Sequence, residues 1–161
     1  LIAEAYNQPT KFCDDIKLFA PLHDVGKVGI SDGILLAKRK LTRIEYEKMK
    51  EHTLHGFEIL KDKKELSMAA TIALGHHENY DGSGYPDQVS GDAIPLAAHI
   101  VSLADVYDAL RSKRPYKEPW SHRAALEEIY SLAGTKFDPL LVEKLKTVEK
   151  KFERIYSKLN S

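Results

Sequence analysis

Pro95-Leu96-Ala97-Ala98-His99-Ile100-Val101-Ser102-Leu103-Ala104-Asp105-Val106 is an almost wholly apolar run that opens on proline and reads as a buried helix continuing to about Leu110. Such a helix is enclosed on most sides, so Asp105 inside it is the informative residue. An unpaired ionised carboxylate in those surroundings costs many kcal/mol, so Asp105 needs a cation: an arginine, a lysine or a metal. A structural salt bridge competes with a metal here. The pairs His23-Asp24 and His76-His77 tip the balance towards metal, because imidazole nitrogen and carboxylate oxygen together suit zinc, iron and manganese.

Helix signals also dominate outward from this stretch. Thr42-Arg43-Ile44-Glu45 is a capping box that starts a helix carrying Tyr46, Met49 and His52 and bending towards Leu60. Glu65 to His77 reads as another, with Leu66, Ala69, Ala70, Ala73 and Leu74 facing inwards. Asp14 or Asp15 is expected to cap a short helix through Ile16, Leu18, Phe19 and Leu22, ended by Gly26 and Gly29. Ser121 caps a helix that stops near Gly134, and Asp138-Pro139 opens a last, highly charged one. Between Glu78 and Ile94 lies a long loop with Gly82, Gly84, Pro86 and Gly91, a length that favours function over mere connection. The fold class is all-α, a single-domain helical bundle. Residues 1–17 read as the end of an upstream helix and its turn, 18–141 as the motif-bearing core and 142–161 as the charged C-terminal helix. The chain opens on Leu1 and is expected to be a fragment.

At 161 residues the chain suits one domain with a sizeable core. Lysine plus arginine equal aspartate plus glutamate at 24 each, which disfavours duplex nucleic acid as a partner but leaves room for a small anionic ligand at a local positive site. No apolar run approaches the roughly 20 residues that span a bilayer, and no signal peptide is visible. The single cysteine, Cys13, cannot pair internally; a cytoplasmic setting is expected.

His76 and His77 are placed about 100° apart on a helix end. They serve two ions lying side by side, or one binds metal while the other meets substrate. His52 and His55 share a helical face, with Gly56 beside them allowing close approach of another helix. His99 is too far around the axis from Asp105 to join it, and His122 is expected to face solvent. Lys27, one turn beyond Asp24, would repel nearby cations unless an anion joined them, and phosphate is the obvious candidate. Arg114 and Lys117 form a second basic pair suited to a distal phosphate or a guanine edge.

Taken together, these residues resemble the HD-GYP family of metal-dependent phosphohydrolases. The resemblance runs through His23-Asp24-Val25-Gly26-Lys27, Lys50-Glu51-His52, His76-His77-Glu78, Asp81-Gly82-Ser83-Gly84-Tyr85-Pro86, Ile94-Pro95-Leu96-Ala97, Ala104-Asp105-Val106-Tyr107-Asp108-Ala109-Leu110, Arg114-Pro115-Tyr116 and Phe137-Asp138-Pro139. It implies hydrolysis of cyclic di-GMP to pGpG or onward to GMP at a centre of two or three divalent ions, iron or manganese. It implies His23, Asp24, His52, His76, His77 and Asp105 as ligands, Asp24 bridging, with Asp24 and Lys27 catalytic. Lys27, Tyr85, Arg114 and Lys117 would contact the cyclic dinucleotide. The Gly84-Tyr85-Pro86 loop would also offer a surface to a protein partner, and an upstream sensory or receiver domain is expected. Family members carry a further histidine, and in trinuclear members a glutamate, before the His-Asp pair. Leu1 to Lys17 holds no histidine, so that ligand is expected upstream.

The mechanism so implied is attack on phosphorus by a hydroxide bridging the metals, with Lys27 offsetting charge on the phosphoryl oxygens. Two other readings compete: a non-catalytic module binding cyclic di-GMP or a partner protein, and a phosphohydrolase acting on another nucleotide.

Overall fold

The capping box forms as the sequence predicts. Glu45 donates its amide to Thr42 Oγ1 and accepts the Thr42 amide at Oε2, which starts a helix at Arg43. A computed structural model describes residues 1–113 and 118–159. Among them the helices are α1 (Ile2–Ala5), α2 (Thr10–Phe19), α3 (Asp32–Leu35), α4 (Arg43–Lys50), α5 (His52–Leu60), α6 (Ser67–Gly75), α7 (Leu96–Arg111), α8 (His122–Ser131) and α9 (Pro139–Leu159). Short 3-10 turns join several of them, and the described residues hold no strand, only an isolated bridge between Ala133 and Phe137.

Small residues let α6 act as the central post. Ala69, Ala70 and Ala73 are buried with Ile72 on a helix that is apolar all round, and α5 and α7 pack against it. Gly56 of α5 sits so close to α6 that an added Cβ would lie 3.1 Å from the Ala73 methyl. The main core gathers Ile72, Leu103, Ile129, Phe137, Leu141 and Leu145, so α6, α7, α8 and α9 share one apolar interior. Ile2 and Ala3 of α1 also bury into it against α9.

Some expected boundaries move. The helix expected to begin at Asp14 or Asp15 starts at Thr10, after Pro9 fixes an extended entry, and Leu18 points out at 67% exposure. Glu65 belongs to a 3-10 turn, Lys64–Leu66, before α6 begins at Ser67. Two other expectations hold: Ser121 Oγ accepts the Ala124 amide at the start of α8, and Asp138 Oδ1 accepts the Leu140 amide as α9 opens. No described helix is long and apolar enough to cross a membrane.

Candidate metal centre

Backbone contact brings the His-Asp pair to α5. His23 and Asp24 lie between the 3-10 turns Ala20–Leu22 and Val25–Gly29, and the second turn presses directly on α5. Gly26 makes this possible: a Cβ there would overlap the His52 carbonyl oxygen and the Gly56 nitrogen. Asp24 is thereby set against His52, the first residue of α5. His76 arrives from the C-cap of α6, with His77 one residue further on.

The ring nitrogens then converge. Ligand atoms of His52, His76 and His77 all lie within 4.8 Å of one another, and so do those of His23, Asp24 and His76. Either group could hold a metal ion, and His76 belongs to both. Asp24 Oδ1 lies 3.5 Å from His52 Nε2 and 3.9 Å from His76 Nε2, while Oδ2 lies 3.3 Å from His23 Nε2.

The outward nitrogens decide what the inward ones can do. His23 Nδ1 faces the Ala20 carbonyl at 2.8 Å, His52 Nδ1 the Met49 carbonyl at 2.7 Å, and His76 Nδ1 the Ile72 and Ala73 carbonyls at 3.1 Å. A carbonyl can only accept, so in each neutral ring the hydrogen sits on Nδ1 and the Nε2 lone pair points inwards. His52 Nε2 and His76 Nε2 then face each other at 3.5 Å as two lone pairs, an arrangement a cation stabilises. Asp24 Oδ1 is buried with no hydrogen-bond partner among the described residues. The donor set therefore fits divalent metal, with the carbonyls orienting the rings.

Electrostatics point the same way. Burial pushes His76 down to about 4 and His77 down to about 2, helped by the neighbouring imidazoles, and burial also lowers His52. These rings are neutral near pH 7, the form that ligates metal. His23 differs: burial opposes its charge, but hydrogen bonds with Asp24 and Ala20 and the Asp24 and Asp105 carboxylates raise its pKa. Burial also opposes ionisation of Asp24, yet hydrogen bonds from His23 and Lys27 hold it far below the usual carboxylate range.

Asp105 corrects a sequence expectation. It is half-exposed (38%) rather than buried, because α7 turns this position out of the apolar interior and towards the histidines. Its Oδ1 lies 3.8 Å from His23 Nε2. It stands at the rim of the cluster, outside both groups of converging donors, and the burial argument for a cation is correspondingly weaker.

His76 and His77 both lie just past the last regular turn of α6. Their ring centroids are 4.1 Å apart. Tyr85 stacks on His77 at 4.8 Å between centroids, and Lys27 pairs with Asp24 Oδ2. His55 diverges from His52 and packs beneath the Gly29 turn. His99 lies away from the cluster, its Nε2 3.3 Å from the Gly91 carbonyl. His122 does not face solvent: only 14% of its side chain is exposed, and its Nδ1 lies 2.8 Å from the Tyr107 hydroxyl. Arg114 and Lys117 fall outside the described residues.

Sequence reasoning gave no role to Glu78, Lys50 or Lys136. Glu78 is buried, and its Oε1 accepts the amides of Asp87 and Gln88 at 2.7 and 3.1 Å, tying down the chain beyond Pro86. Burial raises its pKa against those two hydrogen bonds. Gly84 lies so close to the backbone of residues 77–79 that a Cβ would overlap it, which lets Tyr85 donate its amide to the His77 carbonyl at 3.2 Å. A cleft of about 610 Å³ opens beside His77 and Tyr85, with Tyr46, Lys50, Asn79 and Lys136 along its walls. Only the adjacency of Glu78 to the histidine pair could have flagged one of these residues.

Residues 1–141 match the HD domain family. Over 96% of the chain it is 46% identical to the cyclic di-GMP phosphodiesterase response regulator RpfG of Xanthomonas campestris and 45% identical to a cyclic di-GMP phosphodiesterase of Thermotoga maritima. These alignments cover 42% and 43% of the two relatives, so the chain spans less than half the length of either. It is also 44% identical, over 89% of its length and 28% of the relative's, to the 3'3'-cGAMP-specific phosphodiesterase 2 of Vibrio cholerae. The solved structure of a cyclic GMP-AMP-specific phosphodiesterase of V. cholerae superimposes over 92% of this chain and 41% of its own, with a TM-score of 0.69 at 19% identity, a likeness of fold. The chain belongs to the HD domain family, in its HD-GYP branch.

Proposed function

We propose that the chain is the catalytic unit of a metal-dependent phosphodiesterase that hydrolyses cyclic di-GMP to pGpG, to GMP, or to both. The observation that carries this reading is the convergence of three Nε2 atoms, each ring oriented by a backbone carbonyl behind it, around the Asp24 carboxylate. His23, Asp24, His52, His76, His77 and Asp105 would hold two divalent ions, or three with a ligand from outside this chain; iron and manganese suit the mixed nitrogen and oxygen donors. Bound there, the ions supply Lewis acidity that activates water and offsets charge developing on phosphorus.

The chain's own groups do the rest. Asp24 presents one oxygen to His52 and His76 and the other to His23, so it can serve both donor groups at once. Lys27, paired with Asp24 and 39% exposed, is placed to take a phosphoryl oxygen. Tyr85, held over His77, forms one wall of the cleft and would pack against substrate. Arg114 and Lys117 would add further substrate contacts in this proposal. A cytoplasmic location agrees with the lone Cys13, and an upstream regulatory domain agrees with the greater length of the relatives.

Metal analysis of the purified protein, with chromatography of products from cyclic di-GMP and from 3'3'-cGAMP, tests the reading. Bound iron or manganese and release of pGpG or GMP support it. Turnover of 3'3'-cGAMP alone reassigns the substrate, and metal-loaded protein that binds either nucleotide without cleaving it overturns the catalytic proposal.

A further inference from the structure

We propose that Lys136 is a substrate-binding residue that contacts the second phosphate of the cyclic dinucleotide, the one not being hydrolysed. The proposal rests on reading the site as a cyclic dinucleotide phosphodiesterase. Such a substrate carries two phosphodiesters, and a single centre can act on only one at a time. The other calls for cations away from that centre: Arg114 and Lys117 are one pair suited to it, and among the described residues Lys136 is a further one.

Lys136 stands on the wall of the cleft that opens beside His77. Its ammonium donates to Asn79 Oδ1 at 3.2 Å and has no carboxylate within salt-bridge distance among the described residues. The other cleft lysine, Lys50, is held by Glu47 at 2.9 Å, and Lys27 by Asp24. Lys136 is also half-buried, and burial lowers its pKa. A partly desolvated ammonium that feels the Asp105 carboxylate only from beyond salt-bridge distance is incompletely compensated, and an arriving phosphate offsets the remaining cost.

The group is held in place for this task. The Lys136 carbonyl accepts the Tyr80 amide at 3.1 Å and the Thr135 carbonyl accepts the Asp81 amide at 2.9 Å, so the segment is clamped to the loop after His77. Asn79 Nδ2 donates to Ser83 Oγ at 3.0 Å, and Ser83 Oγ donates to Asp81 Oδ1 at 2.6 Å. The network fixes the carbonyl end of Asn79 towards Lys136 and its amide end away. The cleft, at about 610 Å³, lies within the range of roughly 300–1,000 Å³ usual for small-molecule sites.

A merely structural role, tethering the loop through Asn79, makes a different prediction, and three variants of the metal-loaded protein separate the two. Lys136→Met removes donor and charge, Lys136→Gln keeps a donor without charge, and Lys136→Arg keeps the charge. Steady-state kinetics with cyclic di-GMP at two ionic strengths should show KM raised about tenfold in both the Met and Gln variants, the order expected for one charged hydrogen bond. Metal content should stay at the parent value, and Lys136→Arg should recover most of the loss. KM should rise with salt more steeply in the parent than in Lys136→Gln, because only the parent has the charge to screen. If Lys136→Met does not fold, the Gln and Arg variants decide alone. KM of Lys136→Gln within twofold of the parent, or a loss confined to melting temperature and restored by Gln, overturns the proposal. A parent protein that cleaves no cyclic dinucleotide overturns the functional reading itself, a separate result.

Discussion

Asp24 is the residue on which the proposed centre turns, since each of its oxygens faces a different set of histidines. Asp24→Ala should lose most of the bound metal and all detectable turnover. Lys27→Ala should keep its metal yet hydrolyse cyclic di-GMP at least tenfold more slowly, because it removes a charged contact to phosphate and no ligand. Metal analysis beside initial rates separates the two, and full activity in the Asp24→Ala protein would sink the scheme. At this scale the sequence pointed to side chains that mostly converge, in part for reasons that the structure does not bear out. His23, Asp24, His52, His76 and His77 do meet. Asp105 stands at the rim at 38% exposure, although an apolar run had suggested deep burial. Hydrophobicity averaged along a helix cannot say which single position looks out of the core into a cleft.

Among the elements, α4 shows how far local rules reach. Thr42 and Glu45 form the capping box anticipated from four residues, and Arg39 adds bonds to Glu45 at 2.7 and 2.6 Å. Those bonds, with the Thr42 amide, hold the Glu45 carboxyl down to about 2 from its ordinary 4.5. A carboxyl depressed in the folded state stabilises above its unfolded pKa and ceases to as pH falls through the folded one. Glu45→Gln should therefore unfold at lower urea than the parent at pH 6, with the gap closing as pH drops from 4.5 towards 2. A gap that does not change with pH would assign the effect to packing instead. Elements without such signals were less legible. The start of α2 depends on Pro9 rather than on the acidic pair inside the helix, and His122 is turned inwards by its contact with Tyr107.

Across the whole molecule, the donors come from a 3-10 junction, α5 and the end of α6, which meet only in the folded chain. Metal held there binds the native state alone and should stabilise all of it. Stripping metal with a chelator should lower the melting temperature by about 5–10 °C, and restoring manganese or iron should reverse it; the estimate takes about 2.7 kcal/mol of linkage at a few degrees per kcal/mol for a domain of this size. Asp24→Ala protein should melt at the same temperature with and without chelator. A chelator-insensitive parent would argue against a structural stake for the metal.

The sequence by itself determined the all-α class, the positions of α4 to α9 within a few residues, and the roster of metal-competent side chains. Those follow from periodicity, caps and residue chemistry, all of them local. Only the tertiary structure decided which nitrogen of each histidine faces inwards, because that depends on the carbonyl behind each ring. It alone placed Glu78 and Lys136 at the loop and the cleft, since nothing within a few residues of either records the partner that holds it. Gly26 spans both levels. Its place beside the His-Asp pair is written in the chain, but the need for a missing side chain arises only where α5 presses against its backbone.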